Sequence, residues 1–178
     1  MAKKTNIEPV KLFSGFIYSD IQTMSQVLEI LENKFGPVEC ESEHFDFAHT
    51  MYYKKEMGPN LKRLFISFEK PIMPDTLKDI KTETNSIERR FVNADGGRLV
   101  NIDPGLISLA NVILASTKEY SHRIYLGNGI FGEITLLYED KSYRPLKWTY
   151  PDYRTTHAID FLLRVRESLK DYIIELRQ

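Results

Sequence analysis

Between Ser116 and Arg123 the chain reads Ser-Thr-Lys-Glu-Tyr-Ser-His-Arg, which gathers serine and threonine hydroxyls, a lysine, a histidine and an arginine within eight residues. That inventory suits an anion: Ser121 and its neighbours donate to oxygens, Lys118 is a point charge, and Arg123 is a planar fork. The same residues also suit an element boundary, where Ser116 and Thr117 satisfy nearby backbone groups and the cations are solvated or paired. Just downstream, Gly127-Asn128-Gly129 separates two apolar runs, a strong hairpin signal. A two-residue turn sets Gly127 opposite Ile130, Ile124 opposite Glu133 and His122 opposite Thr135. His122 and Glu133 are then diagonal neighbours, a candidate catalytic acid/base pair. A three-residue loop with Leu126 facing Ile130 slips the register by one, and Arg123 faces Glu133 as a structural ion pair. Trp148-Thr-Tyr-Pro-Asp-Tyr-Arg154 adds aromatic faces. Trp148 and Tyr150 either stack on a base or sugar or clasp the last helix.

Other positions carry weaker signals. Asp103, in Asn-Ile-Asp-Pro-Gly, reads as a strand-end ligand or base, or as an ordinary turn that caps the next segment. Glu39, Glu41, Glu43, His44 and Asp46 place alternate acidic residues on one strand face, which suits a hard cation or a charged edge strand. Cys40 lies between Glu39 and Glu41, which oppose a thiolate, and reads as inert. His49 and His157 have no partner that sequence names. The segment Tyr52 to Pro59 (YYKKEMGP) reads as a loop able to fold over the same pocket. The chain has no GxxxxGK[ST], GxGxxG, HExxH, CxxC or GxSxG, so a P-loop nucleotidase, a zinc protein and an α/β-hydrolase are not expected. No metal-ligand set is named and the cofactor is unknown.

The elements that must position these residues begin with Val10 to Ser19, an aromatic and β-branched strand. Asp20 then caps a helix whose apolar Met24, Val27, Leu28, Leu31 and Phe35 share a face, and Gly36-Pro37 ends it. Strands follow at Val38 to Phe47 and Leu61 to Glu69. A helix opens at Pro74-Asp75 with Leu77, Ile80, Thr84, Ile87 and Phe91 inward; a turn at NADGG and a short strand at Arg98 to Ile102 come next. The order β-α-β-β-α-β is that of a split βαβ, or ferredoxin-like, unit. Leu106 to Ala115 is so uniformly apolar that periodicity does not separate helix from strand; its alanines and length favour a helix. The hairpin of His122 to Leu126 and Ile130 to Glu139 and a strand near Ser142 to Leu146 follow. Thr155 or Thr156 caps a final helix bearing Ile159, Leu162, Leu163, Leu169, Tyr172, Ile173 and Leu176.

With 178 residues, 42% hydrophobic and 28% charged, the chain is expected to be one α+β domain over 1–178, with 1–9 a flexible tail. A formal charge of -1 supplies no global field toward DNA or anionic lipid. The single cysteine and the absence of a long apolar run point to a soluble, cytoplasmic protein.

The strings NIDPG, ASTKEYSHRIYLGNGIFGEITL and WTYPDYR, with the earlier YYKKEMGP and LKRLFISFE, give the chain from Lys11 to Arg154 a further reading. Over that span it resembles an uncharacterised prokaryotic family catalogued as domain of unknown function 4416. The resemblance implies a small stand-alone protein of bacteria or archaea, and it carries no activity or site residue with it. Two functions remain open. The first is a polar site for a phosphate-bearing small molecule or nucleotide, with Lys118, Ser121, Arg123, Trp148 and Tyr150 as ligand-binding residues and His122 with Glu133 as the acid/base pair. The second is a non-enzymatic module that meets a protein or RNA through its aromatic loops.

Overall fold

Strand β1 (Lys11–Tyr18) has every residue buried, so both of its faces must be covered. A computed structural model, which describes residues 6–48 and 52–178, shows how. After β1 come α1 (Ile21–Phe35), β2 (Val38–Glu41), β3 (Phe45–Asp46), α2 (Tyr52–Met57), β4 (Lys62–Phe68) and α3 (Leu77–Glu88). The second half contains β5 (Val100–Ile107), β6 (Asn111–Ser116), β7 (Ile124–Gly127), β8 (Ile130–Glu139), β9 (Ser142–Pro145) and α4 (Thr156–Leu176), with 3-10 turns at Pro74–Thr76 and Pro151–Arg154. The nine strands form one antiparallel sheet in the order β2-β4-β1-β5-β6-β8-β7, with β3 on β4 and β9 on β8. The chain is a single α+β domain.

Leu12, Phe16 and Tyr18 turn toward α1 and α3, where they meet Met24, Val27, Leu31, Ile80 and Ile87. Phe13 turns the other way, toward Phe161, Leu162 and Val165 of α4. Each such side chain contributes roughly 1.5–3 kcal/mol by leaving water, and together they hold a helix–sheet–helix sandwich. The helix ends follow their local chemistry. The Asp20 carboxylate accepts from Thr23 N–H at 2.7 Å, which lowers its pKa, and Gly36 closes α1 at φ 94°. Thr155 caps α4 by accepting from Ala158 N–H at 3.3 Å. Among the described residues, no helix is long and apolar enough to cross a membrane.

Four expectations are corrected. Leu106 to Ala115 is not a helix: it forms the end of β5, a turn at Ser108, and β6, paired through Leu106↔Ile113 and Ile107↔Val112. Its uniform hydrophobicity reflects strands buried in the sandwich, with Ile107 and Val112 fully covered. Asp103-Pro-Gly is not a turn either, because Asp103 pairs with Gly15 and Pro104 with Ser14 inside β5. Proline is tolerated there because β6 pairs with β5 only from Gly105 onward. Tyr52 to Met57 is a helix rather than a loop. The strand expected from Val38 to Phe47 is broken into β2 and β3 by Ser42, whose backbone and hydroxyl both bond Phe65. Residues 1–5 of the expected tail and His49 lie outside the described residues.

Candidate functional site

The antiparallel register assembles one cluster on the face that α4 covers. Gly15 of β1 lies between Phe65 of β4 and Asp103 of β5, Arg63 stands opposite Ile17, and Leu114 of β6 stands opposite Glu133 of β8. Beyond the reach of α4, Ile17, Arg63, Asp103, Leu114 and Glu133 border a cavity of about 340 Å³. The turn Pro151–Arg154 closes it from above with Pro151, Asp152 and Tyr153, and α2 contributes Tyr53.

At one end of the cavity, the hairpin combines both registers considered from the sequence. Asn128 and Gly129 have φ of 54° and 73° and form the two-residue turn, with Gly127 opposite Ile130. A bulge at Leu126 then shifts the ladder, so Tyr125 faces Phe131 and Ile124 faces Gly132. Glu133 consequently collects both partners on one oxygen: Arg123 Nε donates to Oε2 at 2.7 Å, and His122 Nε2 lies 3.2 Å from the same atom. Thr135 donates to Oε1 at 3.2 Å. Arg123 is held further by Ser116 Oγ at 2.9 Å, the Lys118 carbonyl at 2.8 Å and Tyr150 OH at 3.0 Å. Burial opposes the Arg123 charge, but the hydrogen bonds and charges of Glu133 and Tyr150 together outweigh it and its pKa rises.

The other end is built on Arg63, whose side chain is only 1% exposed. Its Nη2 lies 2.9 Å from Asp152 Oδ2 in an ion pair, and its Nη1 faces Asp103 Oδ2 at 3.6 Å, too far for a hydrogen bond. The guanidinium lies over the rings of Phe65 and Tyr153, at 4.7 and 5.1 Å from their centroids, a favourable cation–π arrangement. Burial opposes its charge; the carboxylates of Asp152 and Asp103 and the Tyr153 phenol outweigh that and raise its pKa. Arg63 Nε, Arg63 Nη1 and Tyr153 OH are buried without a hydrogen-bond partner among the described residues. Gly15 makes the room: a Cβ there would sit 2.8 Å from Arg63 Nη2 and 2.9 Å from Tyr153 OH. Asp103 is steadied by Asn101 Nδ2 at 2.8 Å and by Lys81 Nζ at 3.7 Å.

The matching family model is "Domain of unknown function (DUF4416)", aligned over residues 8–169. The chain belongs to this family. The matched span includes every strand and turn that lines the cavity. No curated protein and no solved structure matches.

In this DUF4416 chain, Lys118, Arg123, Glu133 and Tyr150 border the cavity, whereas Ser121, His122 and Trp148 do not. Ser121 is exposed. Trp148 stacks on His122 at 4.7 Å, nearly parallel, and donates to the Ile134 carbonyl at 2.8 Å. The ring that actually docks under the last helix is Tyr153, fully buried among Phe13, Phe65 and Phe161. The acidic run on β2 and β3 is taken up in pairs: Glu39 with Lys11, Glu41 with His44, Asp46 with Lys62, and Glu43 with His157. Among the described residues no group of three or more His, Cys, Asp or Glu is disposed to hold a metal. Cys40 is half-buried, and burial pushes its thiol up despite Arg164 nearby.

Sequence reasoning missed Arg63, Asp152, Tyr153 and Gly15, and named Tyr53 only within the segment expected to fold over the pocket. One signal was available. In LKRLFISFE, alternation puts Leu64, Ile66 and Phe68 on one face and Arg63 beside Phe65 on the other, so a strand apolar on both faces carries an inward arginine that needs buried partners.

Proposed function

We propose that this chain binds a small phosphate-bearing molecule in the cavity between the sheet and the Pro151–Arg154 turn. The observation that carries the reading is that Lys118, Arg123 and Arg63 line one cavity. The volume of about 340 Å³ falls at the small end of ligand sites, which favours a sugar phosphate over a larger nucleotide. A nucleobase would find Tyr150 and Tyr53 as ring faces, because Trp148 is engaged with His122. In the same proposal Glu133 borders the ligand as the proton acceptor, and His122, 3.2 Å behind it, shares the proton.

The N-terminal half supports a ferredoxin-like reading through its strand order β2-β4-β1-β5, with α1 and α3 as crossovers; α2 and β3 are additions to that plan. Titration calorimetry and thermal melts with inorganic phosphate, ribose 5-phosphate and AMP test the binding reading. A ligand at 100 times its Kd should stabilise the fold by about 2.7 kcal/mol, and Arg123→Gln should abolish the response. No response to any of the three would end this reading. The alternative, a module for a protein or RNA partner, draws support from Ile124, Tyr125 and Leu126, apolar residues left exposed on the edge strand β7.

A further inference from the structure

We infer that β7 is a self-association surface: two copies of this chain pair β7 against β7, antiparallel about a twofold axis through Tyr125, and so join their sheets edge to edge. None of the residues that line the cavity belongs to β7, so this interface stands apart from the phosphate reading.

The strands at the sheet margins are β2 and β3 on one side and β7 and β9 on the other, and all but β7 are guarded. β2 carries Glu39 and Glu41, and α4 reaches over it through Arg164, which donates to the Glu41 carbonyl at 3.1 Å. β3 is only two residues long and carries Asp46, while β9 carries Arg144 and Pro145. Charge, proline, cover and very short length protect a sheet edge from pairing with another chain. β7 reads Ile124-Tyr125-Leu126-Gly127 and, among the described residues, has no strand on its outer side. Its side chains are open as well, Ile124 at 72%, Tyr125 at 61% and Leu126 at 37% exposure. Such an edge is a template for a further strand.

The geometry favours a second copy as the occupant. A Cβ at Gly132 would sit 3.1 Å from Leu126 Cδ1, and Ile124 stands opposite Gly132, so Ile124 and Leu126 share one face; Tyr125 packs on Phe131 at 5.2 Å on the other. A twofold axis through Tyr125 sets Ile124 of each copy against Leu126 of the other, and brings together the two Tyr125 rings, each beside its own Phe131. Aliphatic and aromatic cross-strand pairs of this kind stabilise sheets. Charge agrees: nothing within β7 repels its own image. Arg123, just before the strand, meets Gly127 of the second copy, and its charge is already held by Glu133 at 2.7 Å. Twofold pairing also closes, because it consumes both β7 edges at once and leaves only guarded margins. A four-residue ladder is about 14 Å long and covers less than the roughly 800 Å² per partner of a standard interface. The dimer is therefore weak and depends on concentration.

Sedimentation equilibrium of the full chain tests the association. The parent should pass from monomer to dimer with a dissociation constant on the order of 100 μM. Ile124→Lys changes an exposed side chain, so it should keep the parent's melting temperature while weakening association by about tenfold or more. Cross-linking reads the register. Residues directly opposite in an antiparallel pair have Cα atoms about 4.5–5.5 Å apart, within disulfide reach, so Tyr125→Cys should form a covalent dimer under mild oxidation, as should a mixture of Ile124→Cys and Leu126→Cys. Ile124→Cys alone should not, and the parent, whose Cys40 is half-buried, sets the background. A parent that stays monomeric up to about 1 mM, an association that Ile124→Lys leaves unchanged, or a Tyr125→Cys variant that does not exceed the background would each overturn the proposal. The first of these outcomes would leave β7 to a strand from a different protein.

Discussion

Arg123 and Glu133 meet through a 2.7 Å Nε–Oε2 bond across the hairpin, although the turn between their strands is the two-residue type that would set Ile124 against Glu133. The bulge at Leu126 resolves the conflict by shifting the ladder one residue beyond the turn. An ion pair and a histidine contact therefore converge on one carboxylate oxygen, and the pair belongs both to the scaffold and to the cavity wall.

Glu133→Gln keeps the shape but removes the charge that Arg123 faces. We expect a loss of about 2 kcal/mol, below the cost of breaking a fully buried pair, because Arg123 retains Ser116, the Lys118 carbonyl and Tyr150. Urea unfolding of Glu133→Gln, Arg123→Gln and the double variant checks this; purely additive losses would show that the two residues are not coupled.

Gly15→Ala should cost about 1–3 kcal/mol, the usual price of overfilling a packed site. The new methyl would press on Arg63 Nη2, on Tyr153 OH and on the Phe65 ring at 3.0 Å. Ligand response should weaken along with the denaturation midpoint, since Arg63 and Tyr153 both line the cavity. A variant as stable as the parent would show that the close approach is not needed.

Alkaline stability should depend on Tyr153. Burial raises its phenol well above the ordinary value, only partly opposed by Arg63. A folded-state pKa above the unfolded one means that the stabilisation is complete below the unfolded value of about 10 and is lost as pH rises toward the folded value. Tyr153→Phe should therefore shift alkaline unfolding to higher pH, followed by circular dichroism and tyrosinate absorbance. An unchanged transition would assign the effect to Tyr53 and Tyr143, whose pKa values burial also raises.

Thr155→Ala should cost about 1 kcal/mol through loss of the α4 cap. The hydroxyl also donates to the Asp152 carbonyl at 2.8 Å, tying the cap to the turn that carries Asp152 into the cavity. Thr155→Ser should restore stability in thermal melts, and failure of that rescue would place the role in the methyl group.

By itself the sequence determined what depends on neighbours along the chain: β1, the capped ends of α1 and α4, the Asn-Gly turn, and the concentration of Lys118, His122, Arg123 and Glu133 near the hairpin. Those features follow from caps, turns and periodicity, which act over a few residues. Tertiary structure decided the rest. Periodicity does not separate helix from strand in a uniformly apolar run, so Leu106 to Ala115 became strands only through pairing with β1 and β8 neighbours in a sheet covered on both faces. The inward arginine of β4 met its partners from β5 and the Pro151–Arg154 turn, 40 and 89 positions later in the chain. Local chemistry does not carry a buried charge to carboxylates that distant; only the register of Gly15 between Phe65 and Asp103, and the space its missing side chain leaves, brings them together.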